Sequence, residues 1–199
     1  MKAGRNDPSQ FNMHRLGAML KEYLYESSGE RILEQFWGIW TAIRDHIIIP
    51  FNYRSFAQIT ERFDFPYEMD AVFFGTEAKM VRECLERQDP EAWDRLIRLY
   101  REMMEYLTDM YEENRLNLRR SYAEAHFYKG ETGTADALFK QLTEEHPEWV
   151  WGYVGWGICI IPNLTLLQRA VRMRLCACTN RGWTRSRPIR MFWKNGSWS

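Results

Sequence analysis

The chain has 199 residues, of which 45% are hydrophobic and 27% charged, with 27 basic and 27 acidic side chains. This length predicts one globular domain or a short helical array, and an aromatic content of 15% argues against disorder over most of the chain. No apolar run reaches the roughly 18 residues that a membrane span requires. The first ten residues, MKAGRNDPSQ, lack the apolar stretch of a secretory signal. We therefore expect a soluble cytoplasmic protein without a disulfide framework.

Hydrophobic residues recur at helical spacing along most of the chain, and glycine or proline residues separate the segments. In the clearest segment, Pro90 occupies the first turn, where its missing N–H costs nothing. The methionine and aromatic stripe between Trp93 and Tyr111 predicts a core-facing surface. No segment alternates with the period of two that a half-buried strand shows, so we predict an all-α fold. The predicted helices are 10–26, 30–48, 53–63, 67–87 and 90–111.

Residues 116–149 fit one tetratricopeptide unit, a helical repeat of about 34 residues. Alanines at two positions of this repeat let antiparallel helices approach closely, and an aromatic residue fills the gap to the next pair. A second unit opens at Val150. We predict antiparallel helical hairpins of tetratricopeptide-like type. Once Pro147 is aligned with the proline that closes the unit, four further positions agree in one register: Ala123, Gly130, Ala135 and Phe139.

The charge distribution changes abruptly in the last quarter of the chain. All acidic residues lie between Asp7 and Glu148, whereas residues 158–199 contain eight basic residues and no acidic one. Residues 1–157 thus carry a net charge of −8 and the tail +8. The tail also contains three of the four cysteines and three tryptophans. In one interpretation this basic, tryptophan-containing tail binds single-stranded nucleic acid, since cations neutralise phosphates and tryptophan stacks on bases.

A change of reading frame near Gly157 is the other interpretation of the tail. Back-translation of residues 157–162 with one G restored reads Gly-Asp-Met-Tyr-Tyr-Ser, which places tyrosine at the position of Ile160. This is the position at which the first helix of the repeat usually has tyrosine. One lost base would account for both the missing acidic residues and the sudden arginine, cysteine and tryptophan. Our hypothesis is that residues 158–199 are a frameshift product, and we expect them to form a poorly structured tail.

Residues 119–157, RRSYAEAHFYKGETGTADALFKQLTEEHPEWVWGYVGWG, resemble the tetratricopeptide-like region of bacterial proteins associated with the SEC-C metal-binding motif. That family commonly continues Gly-Asp-Met-Tyr, in agreement with the restored frame. Residues 4–8, GRNDP, are similar to the opening of the SEC-C motif, but its zinc-binding cysteines are absent here. The resulting division of the chain is 1–9 as an N-terminal arm, 10–115 as a helical region, 116–157 as the tetratricopeptide-like region and 158–199 as the basic tail.

The sequence contains no motif that is specific to one catalytic or metal-binding function. The histidines are scattered singly, and the tail cysteines lack the paired spacing of a zinc site. Glycine-rich phosphate loops and the nucleophile motif G-x-S-x-G are also absent. We therefore predict no catalytic residue, no metal site and no cofactor.

The predicted binding surface follows from the resemblance. In its register, the residues on or near the concave surface of the stacked helices, where such arrays bind partners, are Asn117, Arg120, Glu124, Phe127 and Tyr128. We predict a noncatalytic helical-repeat scaffold that binds a protein or peptide and has no membrane partner. The alternative is a nucleic-acid-binding protein that acts through the basic tail, which requires that the tail be in the natural frame.

We expect the coding DNA between the codons for Trp151 and Pro162 to contain one more G, in the run formed by the codons for Trp156 and Gly157. Sequencing this stretch of the source genome checks the hypothesis. An additional base would show that the basic tail is not part of the natural protein, which also excludes the nucleic-acid alternative. A run without the additional base contradicts the frameshift hypothesis and makes the tail the first segment to test for single-strand binding.

Overall fold

The structure, a computed structural model, describes residues 13–25, 31–63 and 69–160. These residues form helices and contain no strand, which confirms the all-α prediction for the part of the chain that the structure describes. The N-terminal arm and nearly all of the basic tail lie outside these ranges. The elements are α1 (Met13–Tyr25), α2 (Ile32–Ile43), a π-helical segment (Arg44–Ile48), α3 (Ile49–Phe51), α4 (Phe56–Phe63), α5 (Met69–Arg87), α6 (Pro90–Tyr106), α7 (Glu112–Lys129), α8 (Thr132–Glu145) and α9 (Val150–Ile160).

Several helix boundaries differ from the predicted ones. The second helix continues past residue 48 because a π-helical turn leads into α3, and Pro50 lies in the first turn of α3, where its missing N–H is tolerated. Helix α6 ends at Tyr106, since Leu107 leaves the helical conformation. Helix α9 continues through Ile160, three residues beyond Gly157.

The main core lies between α1, α2, α5 and α6. Trp40, Phe73 and Tyr100 are among the largest fully buried side chains. The ring of Phe73 has its centroid 5.2 Å from that of Phe36, and Phe36 lies 5.4 Å from Tyr23. Most of the apolar stripe on α6 is buried, as its spacing predicted, although Tyr111, beyond the end of that helix, is exposed.

A buried carboxylate, Glu102, ties α2 to α6. Its Oε2 accepts a hydrogen bond of 3.0 Å from the indole Nε1 of Trp40 and another from Arg44, and its Oε1 accepts one of 2.8 Å from Nε of Arg98. The Arg98 guanidinium also lies 5.1 Å from the centroid of the Trp37 ring. Burial raises the pKa of Glu102, but the hydrogen bonds from Trp40, Arg98 and Arg44 outweigh it and leave the pKa below its ordinary value. The folded state therefore contains this group as a carboxylate.

A second buried carboxylate caps α2 from a distant part of the chain. Arg31 precedes α2 in the left-handed conformation and makes no side-chain capping bond. The Leu33 amide in the first turn instead donates to Oε2 of Glu83, on α5, at 2.8 Å. An exposed helix N-terminus attracts negative charge, and Glu83 supplies it from 50 residues away along the chain. Arg87 Nη1, 3.1 Å from Glu83 Oε1, balances the charge.

Within the described ranges, no helix is both long and apolar enough to cross a lipid bilayer.

We expect Glu102→Gln to lower the free energy of unfolding at pH 7 by about 2 kcal/mol, because two arginines and an indole lose a charged acceptor. A carboxylate whose pKa is lowered by folding stabilises the protein above its unfolded pKa, and this contribution is lost as the pH falls through the folded pKa. The difference between the wild type and the variant should therefore be full at pH 7 and shrink below about pH 4.5. Urea unfolding followed by circular dichroism across this range measures it.

Glu105→Gln is the matched control, since Glu105 is an exposed carboxylate on the same helix. Its stability should stay within about 0.5 kcal/mol of the wild type. A Glu102→Gln variant with wild-type stability at pH 7 would contradict the role assigned to this carboxylate.

Candidate functional site

Helices α7 and α8 form an antiparallel pair connected by a tight turn. Gly130 ends α7 with a φ of 98°, a left-handed conformation that glycine adopts without strain. The amide of Gly130 donates to the Phe127 carbonyl at 2.9 Å, and that of Glu131 donates to the His126 carbonyl at 2.9 Å. Near the other end of the pair, Arg119 Nη2 lies 2.7 Å from Glu145 Oε2. The turn therefore falls at the glycine that the repeat register placed between the helices.

Helix α9 packs on this pair through small residues. Gly152, Gly155 and Cys159 are its buried residues, and they lie at helical spacing on one face. A Cβ atom at Gly155 would lie 3.0 Å from Cγ of Arg120 and 3.0 Å from Cε1 of Phe139. The absence of a side chain at this position therefore allows α9 to approach α7 and α8 closely.

Most of the large side chains of α9 lie on an exposed surface, although the Tyr153 hydroxyl at its edge donates to the Thr143 carbonyl of α8 at 3.4 Å. We call this surface the apolar face of α9. Five of the eight large hydrophobic residues that are exposed within the described ranges belong to it. Helix α9 contains no charged residue, so this face is apolar along its whole length. Its members and their exposed fractions are Val150 (66%), Trp151 (52%), Tyr153 (46%), Val154 (39%) and Ile160 (60%).

A groove of about 380 Å³ lies where α9 ends beside the start of α8. The indole Nε1 of Trp156 donates a hydrogen bond of 2.8 Å to Oδ1 of Asp136, which links α9 to α8 at the rim of the groove. Because Trp156 is thereby held in place, the groove has a defined aromatic wall. Residues from all three helices contribute to its lining, among them Phe127, Thr132, Asp136, Phe139, Trp156 and Ile160.

Four of the five predicted binding residues share one face of α7, since Asn117, Arg120, Glu124 and Phe127 follow each other at spacings of three and four. The side chain of Arg120 contacts α9 at Gly155, and Phe127 lines the groove. Glu124 is buried, with 7% of its surface exposed, and its Oε1 lies 3.6 Å from Arg120 Nε. Asn117 is half-buried. Helix α9 thus covers part of the predicted surface, and Phe127 connects it to the groove.

Tyr128, the fifth predicted residue, lies at the contact between α6 and α7. Its ring stacks on Trp93 of α6, with centroids 5.6 Å apart and planes 20° from parallel. Burial, and to a smaller extent the nearby Cys159, raises the pKa of Tyr128 to about 12, so its hydroxyl stays protonated at neutral pH. Tyr128 is not among the residues that line the groove, although it contacts the lining residue Phe127, with ring centroids 5.6 Å apart.

Sequence reasoning missed Asp136 and Trp156 as partners, because 20 residues separate them along the chain. The composition of α9, VWGYVGWGICI, contained a usable signal. On a helical wheel its small residues fall on one side and most of its large residues on the other. This segregation predicts a close contact on one face and an exposed apolar surface on the opposite one.

The described residues offer no group of three histidine, cysteine, aspartate or glutamate side chains that could hold a metal ion. Burial raises the pKa of the Cys159 thiol to about 12. It is also the largest cause of the raised pKa of the Cys84 thiol, which is about 12 as well. A thiol with so high a pKa is a poor nucleophile at neutral pH, because the thiolate is the reactive form.

No family model matches this chain, and neither a curated protein nor a solved structure matches it.

We expect Gly155→Ala to lower the free energy of unfolding by about 1 kcal/mol, because the new Cβ forces the buried ring of Phe139 or the Arg120 side chain to move. Gly157→Ala is the control in the same helix, since a Cβ there meets nothing within 4 Å. It should raise stability by about 0.5 kcal/mol, as alanine favours the helix. Urea unfolding and hydrogen exchange of the α9 amides measure both effects. Equal stability changes in the two variants would refute the close-approach role of Gly155.

Proposed function

We propose that this protein is a noncatalytic helical-repeat scaffold that binds a protein or peptide partner through α7, α8 and α9. The observation that carries the proposal is the apolar face of α9, because four of its five members, Val150, Trp151, Tyr153 and Val154, precede residue 158 and are the same in either reading frame. Folded proteins rarely leave large contiguous apolar patches in water, and such patches mark interaction surfaces. A face with two large aromatic side chains, Trp151 and Tyr153, has the composition of an interface centre.

The tetratricopeptide-like character of residues 116–157 is part of the same proposal. Ala123, Ala135 and Phe139 are each at least 99% buried, which supports their roles as close-packing and gap-filling residues of the repeat. The association with SEC-C proteins remains a proposal that rests on the sequence resemblance. In a stacked array, α9 would be the first helix of a second unit.

The proposed contact surface differs from the one predicted on α7 alone. Arg120 packs against Gly155 of α9, and Glu124 is buried with its Oε1 3.6 Å from Arg120 Nε, so neither side chain is freely exposed to a partner. A partner would contact the apolar face of α9 and the groove, and Phe127 belongs to both the predicted and the proposed surface.

The test is retention of partners from an extract of the source cells by the immobilised full-length chain. We expect the double variant Trp151→Lys/Val154→Lys to retain at most about 10% of the partner protein that the wild type retains. Two charged side chains on the apolar face would have to be removed from water when the partner binds, which costs free energy. Retained proteins are quantified by mass spectrometry. Both positions are exposed, so circular dichroism and the thermal midpoint should stay close to those of the wild type.

Ile49→Lys is the matched control, since Ile49 is 51% exposed, as Trp151 is 52% exposed, but belongs to α3. This variant should retain the same proteins as the wild type. An identical set of retained proteins for the double variant and the wild type would exclude the apolar face of α9 as the binding surface.

A further inference from the structure

Aromatic rings form much of the wall of the groove between α7, α8 and α9. Phe127, Phe139 and Trp156 come from three different helices and meet around a volume of about 380 Å³. The faces of such rings carry partial negative charge and attract cations, most strongly in the case of tryptophan. This lining therefore favours a ligand that is partly apolar and positively charged over one that is neutral or anionic.

The one charged residue among the described residues that line the groove is Asp136. Its Oδ1 accepts the hydrogen bond from Trp156 Nε1, which fixes the carboxylate and the indole relative to each other. Within the described part of the chain, Oδ2 of Asp136 has no hydrogen-bond donor and remains available to a ligand. A carboxylate beside an aromatic wall is a complementary site for a guanidinium or ammonium group.

Lys129, two residues after Phe127 in the sequence, is paired with carboxylates other than that of Asp136. Lys129 Nζ lies 2.6 Å from Asp94 Oδ1 and 2.5 Å from Glu131 Oε1, so its charge is shared between these two carboxylates. The hydrogen bonds to Asp94 and Glu131 raise the pKa of Lys129 and keep it charged. Residues 112–160, which span α7, α8 and α9, contain eight acidic and five basic side chains and so carry a net charge of −3.

We propose that this groove is a cation-recognition site that binds a basic side chain, arginine above all, of the partner protein. The inference rests on the proposed function and names the chemistry that the same surface recognises. A planar guanidinium stacks on an aromatic ring while it donates to the Asp136 carboxylate, which an ammonium group does less well. Apolar residues that flank this arginine in the partner would lie on the apolar face of the same helix that supplies Trp156, at Val150, Trp151 and Val154.

The test titrates the full-length, ¹⁵N-labelled protein with N-acetyl-arginine methylamide and, separately, with N-acetyl-citrulline methylamide. Citrulline has nearly the shape of arginine without its charge. The Trp156 indole N–H resonance reports on the groove directly, and its absence from the spectrum of Trp156→Phe assigns it. We expect saturable shifts of this resonance and an affinity for the arginine compound about fivefold higher than for the citrulline compound.

Asp136→Asn keeps an oxygen that can accept from Trp156 but removes the charge, and it should abolish the preference for arginine. Glu144→Gln removes an exposed charge from the same helix, at a residue outside the groove lining, and should preserve the preference. Equal affinities for the two compounds in the wild type, or an unchanged preference in Asp136→Asn, would overturn the proposal. So would a Trp156 resonance that moves when the protein alone is diluted, since that assigns the groove to a second copy.

These outcomes are separable from a failure of the proposed function. If the titration shows no preference for arginine, the apolar face of α9 can still retain partner proteins in the extract experiment. If the extract experiment shows no retention through that face, the titration still reports separately whether the groove binds arginine.

Discussion

The carboxylate of Glu102 is the interaction on which the arrangement of the helices depends most. A buried charge costs several kcal/mol unless hydrogen bonds and opposite charges surround it, and here Trp40, Arg44 and Arg98 provide them. Two of these donors come from α2 and its π-helical extension, so the hydrogen bonds of Glu102 hold α2 against α6. Helix α6 in turn holds α7, since Tyr128 stacks on Trp93.

The site follows from a second constraint, the close approach of α9. Gly155 brings this helix against Arg120 and Phe139, and the same geometry turns Trp151 and its neighbours outward. The groove is formed where this packing ends, beside Trp156. Helix α9 has small residues on its inner face and no charged residue. These two properties together allow its close contact with α7 and α8 and leave an apolar surface exposed.

The charged residues near the ends of α7 and α8 differ in how completely they are paired. Lys129 is engaged by two carboxylates, and Asp136 is left with one indole donor. An aromatic wall with one incompletely paired carboxylate is selective for cations because both parts act in the same direction.

Local pattern in the sequence was sufficient for the helical class, for the start of α6 at Pro90 and for the turn at Gly130, because periodicity and backbone restrictions act over a few residues. The burial of Ala123 and Phe139 also followed from the repeat register. Tertiary structure alone decided the rest. The cap that Glu83 provides for α2 and the Asp136–Trp156 hydrogen bond join residues from separate helices, as does the approach of Gly155 to Arg120 and Phe139. Such contacts depend on how helices orient in space, which spacing along one helix does not encode.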